Sequence, residues 1–251
     1  MPLPLKLSYD SLDWAKMSGR IPAIIQDVED GKILFLAEAQ QDDVQKILRG
    51  ENPFPGSPPY HDLRAIRNDA IMPDCDGDAL LVPAYTGACQ PGCGRADGIF
   101  YERITADNLD SIAWDDTLLT AVLIDSHNNV LGLAYTNRQA VEETLTPKRL
   151  VDSPEGKQAV PADEEGQRYM TLWSRRRGLW LKGLTSGELF YSLDLRKTGQ
   201  SYRDTFGKDA LLYVVSPSVP GVGFCHEKYS DLGQAGEGYF LSCFHRKLTL
   251  T

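Results

Sequence analysis

An internal repeat constrains this chain more than any other feature. "IIQDVEDGKILFLAEAQQDDVQKIL", starting at Ile24, aligns without a gap with "AVLIDSHNNVLGLAYTNRQAVEETL", starting at Ala121, at an offset of 97. Leu34 matches Leu131, Leu36 matches Leu133, Ala37 matches Ala134, Val44 matches Val141 and Leu48 matches Leu145. Further along, "DCDGDALLVP" at 74–83 matches "TFGKDALLYV" at 205–214, and "GAC" ending at Cys89 matches "GFC" ending at Cys225. Blocks kept in the same order argue for one supersecondary unit used twice rather than two unrelated amphipathic pieces. The first block of each copy predicts a hairpin, turning at Asp30-Gly31 or Asn128-Asn129, and then a short amphipathic helix that Asn137 can cap in the second copy. The expectation is an α+β fold of two tandem β-rich repeats with small helices, spanning 1–115 and 116–251. A duplicated subunit in one chain mimics a two-fold homodimer, so the repeats are expected to form a pseudo-dimer and the chain to be a monomer.

Bulk properties narrow the function classes. With 251 residues, 42% of them hydrophobic, the chain can bury one large core or two small ones. A net charge of -9 lacks the broad basic face that a nucleic-acid polymer requires. The opening "MPLPLKLSYDSLDW" has no secretory apolar region and no run reaches membrane-spanning length, so a cytoplasmic protein without a membrane partner is expected. Five cysteines without a signal peptide favour metal binding or reactive thiols over a disulfide framework.

"DCDGD" at 74–78 surrounds Cys75 with Asp74, Asp76 and Asp78, mixing oxygen donors for a hard cation with a thiolate for a softer one. A calcium loop fails on spacing, because its sixth and twelfth positions, normally Gly and Glu, are Ala79 and Tyr85. In an extended segment the three aspartates would share one face and Cys75 would point to the other, so one segment could serve two metals. A solvated acidic turn is the alternative.

Together "VLGLAYTNRQAVEETL", "WSRRRGLWLKGLTSG", "DCDGDALL", "FCH" and "SCF" resemble the phosphoribosyl-AMP cyclohydrolase family of histidine biosynthesis. The resemblance spans most of the second copy and, more faintly, the first. It implies a homodimer-like fold with zinc at the subunit interface and Mg²⁺ on the Asp-x-Asp-x-Asp carboxylates. The first copy keeps Asp74, Cys75, Asp76 and Asp78 but lacks the "WSRSR" and "KGxTSG" blocks. The second keeps those blocks with Cys225, His226 and Cys243, while Phe206 replaces the cluster cysteine. The two copies would therefore rebuild one complete site, Zn²⁺ on Cys75, Cys225 and Cys243 and Mg²⁺ on Asp74, Asp76 and Asp78, and leave one ruined. Cys89 and Cys93 would be a vestige of the second site or a residual structural metal site.

By the same resemblance the substrate is N1-phosphoribosyl-AMP, a small phosphorylated purine derivative, opened by metal-hydroxide attack at C6. Three protein ligands and a water compose a catalytic rather than a structural zinc site, although two buried structural thiols at Cys225 and Cys243 are the simpler alternative. His226, directly after Cys225, is the candidate general base; His61, His127 and His245 have no comparable context. Trp173, Ser174, Arg175, Arg177, Lys182, Thr185, Ser186 and Gly187 are the candidate substrate contacts, since guanidinium forks bind phosphate bidentately; a charged exposed strand is the alternative. Arg176 and Leu184 depart from the family's "SRSR" and "KGETSG", and the segment before Trp180 is one residue short, which leaves open a diverged relative acting on another cyclic amidine or purine-like ring, or an inactive metal-binding scaffold. The segment at 146–167, rich in Pro, Gly and charge, is expected to be a loop. A fused pyrophosphohydrolase domain, frequent in the family, is not expected so soon after Cys243. No nucleotide-binding glycine fingerprint, HExxH or nucleophile elbow occurs.

Overall fold

The computed structural model describes residues 5–16, 18–54, 63–86, 99–114, 118–154, 156–163, 165–174, 176–198, 209–235 and 237–249. The chain opens with β1 (Lys6–Ser8), continues through the hairpin β2 (Ile21–Asp27) and β3 (Ile33–Ala39) into helix α1 (Gln41–Leu48), and then forms β4 (Leu63–Ile66), β5 (Met72–Pro73) and β6 (Leu80–Thr86). After β7 (Phe100–Arg103), a second hairpin of β8 (Leu119–Ile124) and β9 (Val130–Thr136) leads into α2 (Arg138–Leu145). Two small hairpins follow, β10 (Lys148–Ser153) with β11 (Gly156–Pro161) and β12 (Thr171–Ser174) with β13 (Gly178–Leu181). Last come β14 (Phe190–Thr198), β15 (Leu211–Pro217) and β16 (Lys247–Thr249). The fold is thus mostly β with two short helices among the described residues, an α+β architecture. No helix among those residues is long and apolar enough to cross a membrane.

One sheet runs β3-β2-β6-β4, with β5 also paired to β6, and the other β9-β8-β15-β14-β7. In each, the hairpin is antiparallel, its first strand pairs in parallel with the next strand of the sheet, and that strand pairs antiparallel with its other neighbour. Strands β9 and α2 lie 97 residues on from β3 and α1, residue for residue. Asn137 caps α2 as expected, accepting from Ala140 N at 2.9 Å. The expected turns form as well, and they meet: Gln26 Nε2 donates to Gly31 O at 2.7 Å and Asn128 O at 2.8 Å.

The core follows from strands that are apolar on both faces. A strand alternates its side chains with period two, so a continuous apolar run must be covered on each side. Ile21, Ala23 and Ile25 of β2 and Leu80, Val82 and Ala84 of β6 pack under α1 with Val44, Ile47 and Leu48. Leu119, Ala121 and Leu123 of β8 and Leu211, Tyr213 and Val215 of β15 pack likewise with Val141 of α2. The residues between them, Ile24, Leu81, Val122, Ile124 and Leu212, join Leu36 and Phe244 in a third cluster shared by both sheets. At about 1.5–3 kcal/mol for each large aliphatic side chain buried, this layer binds the sheets face to face.

Strands also cross over. Strand β7 pairs with β14 at the edge of the second sheet, and β16 pairs in parallel with β1, placing Leu248 in the first core. The segment expected to be a loop at 146–167 instead contains the β10–β11 hairpin, with six register pairs from Lys148↔Pro161 to Ser153↔Gly156. Its anchor is the buried Lys148, whose Nζ reaches the Glu143 carbonyl and, at 3.1 Å, the Glu143 carboxylate at the end of α2. A cation at a helix C-terminus satisfies carbonyls that the helix leaves free. His61, Cys89, Cys93, Arg175 and Phe206 lie outside the described residues.

Candidate metal centre

Three short loops bring the cysteines together. Cys225 is in a loop strapped to the chain ahead of Cys243: Phe224 N donates to Leu241 O at 3.3 Å, Cys225 N to Phe240 O at 3.0 Å and Phe240 N to Glu227 O at 3.1 Å. The strap requires Gly223, where a Cβ would stand 2.2 Å from Tyr239 O. Cys243 hangs from β9. There the register passes from Leu123↔Gly132 to Ile124↔Val130, so Leu131 is bulged out and its carbonyl is free to accept from Cys243 N at 2.8 Å.

Cys75 belongs to the 74–78 segment between β5 and β6, which forms a tight turn and not the extended stretch expected. Gly77, at φ +73°, breaks the period-two alternation, and Asp74 Oδ1 accepts from Asp78 N at 2.9 Å and Ala79 N at 3.1 Å. An aspartate bonding backbone ahead of it is a turn-former, and that competes with an extended conformation. Asp74 is buried and braces the turn, Asp76 is exposed and Asp78 is half-buried; Asp78 stays beside Asp74 and shares the Lys16 ammonium with Asp76.

The Sγ atoms of Cys75, Cys225 and Cys243 all lie within 4.8 Å of one another. Zn–S bonds of about 2.3 Å in a tetrahedron place sulfurs about 3.8 Å apart, so this donor set fits zinc. Hydrogen bonds from Cys243 and Cys75 hold the Cys225 thiol far below the ordinary range, while sharing protons with Cys225 pushes Cys75 and Cys243 up. Glu227 N also donates to Cys225 Sγ at 3.4 Å.

Around the sulfurs the charges are arranged in a definite way. Lys182 Nζ stands 4.4 Å from the ring centre of Phe224 and 5.4 Å from that of Trp180. Burial lowers its pKa, against the opposing pull of Cys243, Cys225 and Cys75. His226 is 64% exposed in its side chain; Nδ1 is 3.6 Å from Cys75 Sγ and Nε2 is 3.5 Å from Asp76 Oδ1.

His245, without context in the sequence, is 8% exposed in its side chain and close to Cys225 and Glu227. Its Nδ1 faces Ser242 O at 3.0 Å, and its Nε2 is at ion-pair distance, 2.9 Å, from Glu227 Oε2 without hydrogen-bond alignment. Burial works to lower its pKa, but the Cys225 hydrogen bond, the Ser242 carbonyl and the charges on Cys225 and Glu227 prevail and raise it. The signal in the sequence was only its spacing, two residues after Cys243.

Lys16 was also missed. Its Nζ is 3.2 Å from Asp76 Oδ2 and in closer contact with Asp78 Oδ2, and although burial opposes it, the two carboxylates raise its pKa. Burial, followed by the Asp78 charge, lifts Asp74 to about 8. Mg²⁺ needs near-octahedral oxygen donors. With Asp74 Oδ1 given to two amides and Asp76 and Asp78 to an ammonium, this donor set does not fit it. A faint repeat announced the segment: "SLDW" at 11–14 recurs as "SIAW" at 111–114. Trp14 N donates to Leu12 O at 3.0 Å, as Trp114 N does to Ile112 O at 2.9 Å.

The candidate substrate contacts cluster on the β12–β13 hairpin and the turn after it. Ser174 Oγ accepts from Arg176 N at 3.3 Å and Arg177 N at 3.2 Å, and the Arg177 guanidinium lies over Trp180 at 5.1 Å. Trp173 is half-buried, and Thr185, Ser186 and Gly187 are exposed.

No family model matches the chain. It is 34% identical over 134 residues to the phosphoribosyl-AMP cyclohydrolase of Methanocaldococcus jannaschii, a match covering 53% of this chain and 73% of that protein. To the phosphoribosyl-AMP cyclohydrolase of Granulibacter bethesdensis it is 35% identical over 124 residues, covering 48% of this chain and 73% of that protein. To the histidine biosynthesis trifunctional protein of Komagataella pastoris it is 32% identical over 123 residues, 48% of this chain but 11% of that much longer protein.

Proposed function

Because the chain belongs to the phosphoribosyl-AMP cyclohydrolase family, we propose that it hydrolyses the N1–C6 bond of N1-phosphoribosyl-AMP at one composite site shared by its two repeats. The observation that carries this is the convergence of Cys75 with Cys225 and Cys243, three sulfurs within 4.8 Å of one another. Cys75 belongs to the first repeat and its partners to the second, which supports a pseudo-dimer within a single chain and hence a monomer.

Three thiolates suit a soft ion, and zinc is the one that fits the proposed reaction. Bound there, it supplies a Lewis acid that brings the pKa of a water toward neutrality, for attack on the carbon that zinc deaminases attack in adenine. The remaining work belongs to the chain. Lys182, beside the sulfurs, offsets their negative charge, and the rings of Phe224 and Trp180 around it keep water away. His226, exposed and next to Cys75, accepts the proton of the attacking water and returns it to N1 as that bond breaks. The water oxygen ends on C6 as a carboxamide oxygen, its second proton passes to the exocyclic nitrogen of C6, and N1 leaves with the bonding pair. Arg177 with Arg175, and Thr185, Ser186 and Gly187, offer donors to the substrate phosphates, with Trp173 and Ser174 shaping the same hairpin.

The test is ring opening of N1-phosphoribosyl-AMP by the zinc-loaded protein, followed by absorbance. Turnover that is lost in Cys225→Ser and His226→Ala is the expected result. A zinc-replete protein that leaves this substrate intact refutes the assignment.

A further inference from the structure

The carboxylates of the 74–78 turn are already served by the chain. Asp74 Oδ1 takes two backbone amides, at 2.9 and 3.1 Å, while Asp76 Oδ2 lies 3.2 Å from Lys16 Nζ and Asp78 Oδ2 makes a closer contact with the same ammonium. Lys16 is carried there by a backbone that the turn itself grips. Asp13 N donates to Gly77 O at 2.8 Å, and Lys16 N donates to Asp13 Oδ1 at 3.0 Å. The approach needs glycine at 77, where a Cβ would stand 3.1 Å from Ser11 O. Carboxylates this close in sequence suit a hard divalent cation by their donor chemistry. An ammonium fixed between two of them repels one.

We infer that Lys16 is the resident counter-cation of Asp76 and Asp78, standing where a magnesium ion would otherwise be held. The consequence reaches the reaction through Asp76. His226 Nε2 faces Asp76 Oδ1 at 3.5 Å while Lys16 holds Oδ2, so Lys16 is a positioning residue for the histidine beside Cys75. That catalytic meaning rests on the proposed function; the ion pair and its exclusion of a divalent cation do not.

The experiment uses Mn²⁺ as the probe, titrated by electron paramagnetic resonance into the zinc-loaded full chain. Wild type is expected to show no Asp78-dependent Mn²⁺ site, and Lys16→Arg, which keeps the charge, is expected to behave the same. Lys16→Met and Lys16→Gln are expected to gain one, with affinity raised roughly tenfold or more by removal of a like charge beside a divalent ion. Adding Asp78→Asn to either should abolish the gain. A wild-type Mn²⁺ site that Asp78→Asn removes would overturn the inference, and so would neutral variants that gain nothing. Failure to open N1-phosphoribosyl-AMP, with this Mn²⁺ pattern intact, would sink the proposed function alone.

Discussion

Cys75→Ser removes one sulfur from a cluster whose other members lie at least 150 residues along the chain and are held by unrelated contacts. Cys225 stays strapped to Phe240 O at 3.0 Å and Cys243 to Leu131 O at 2.8 Å, so the substitution takes away a ligand without dismantling the site. Zinc in four-ligand structural sites is bound by about 10–16 kcal/mol, or about 2.5–4 kcal/mol for each ligand, so the variant should bind about two to three decades more weakly. Cys225→Ser should lose a comparable amount, although it lies in the other repeat. Competition with a chromogenic chelator measures both directly. Protons provide a second readout. The three thiols share protons, which pushes Cys75 and Cys243 up and pulls Cys225 down. Zinc binding to the wild type should therefore release about two protons and weaken on acidification, whereas Cys75→Ser should release about one. Calorimetry in buffers of different ionisation enthalpy counts them. Wild-type zinc affinity in Cys75→Ser, beside a large loss in Cys225→Ser, would refute a centre shared between the repeats.

Burial holds Asp74 at about 8, so between about pH 4, where the unfolded carboxyl ionises, and about pH 8 the folded chain binds the extra proton and stability falls as pH rises. Asp74→Asn keeps the acceptor and has no proton to lose; urea unfolding of the zinc-free protein at pH 5 and 8 should show a smaller decline than wild type, and an unchanged decline would contradict the assignment. Gly77→Ala places a Cβ at φ +73°, 3.1 Å from Ser11 O, and should cost about 1–2 kcal/mol in the same assay; a neutral effect would show that the turn does not need its left-handed residue.

What was legible in the sequence was what depends on neighbours along the chain. The hairpin turns at Asp30-Gly31 and Asn128-Asn129 and the helix capped by Asn137 follow from local periodicity and turn chemistry, and the structure has them where the repeat puts them. The choice of cysteines rested on the family resemblance, read onto the complementary losses of the two aligned copies. The 74–78 segment was misjudged because alternation assumes an extended backbone, whereas a left-handed Gly77 and an aspartate bonding forward make a turn. The hairpin at 148–161 was missed because its anchor is a buried lysine against the end of α2, which no composition reveals.

Only the tertiary structure decided the charges of the site. Lys16 meets Asp76 across 60 residues, His245 meets Glu227 across 18, and Lys182 meets the rings of Phe224 and Trp180 because two sheets pack face to face and draw their loops to one end. Periodicity and spacing act over a few residues and specify which elements form. Electrostatic partners are set by where those elements dock, at distances of a few ångströms that no interval along the sequence encodes.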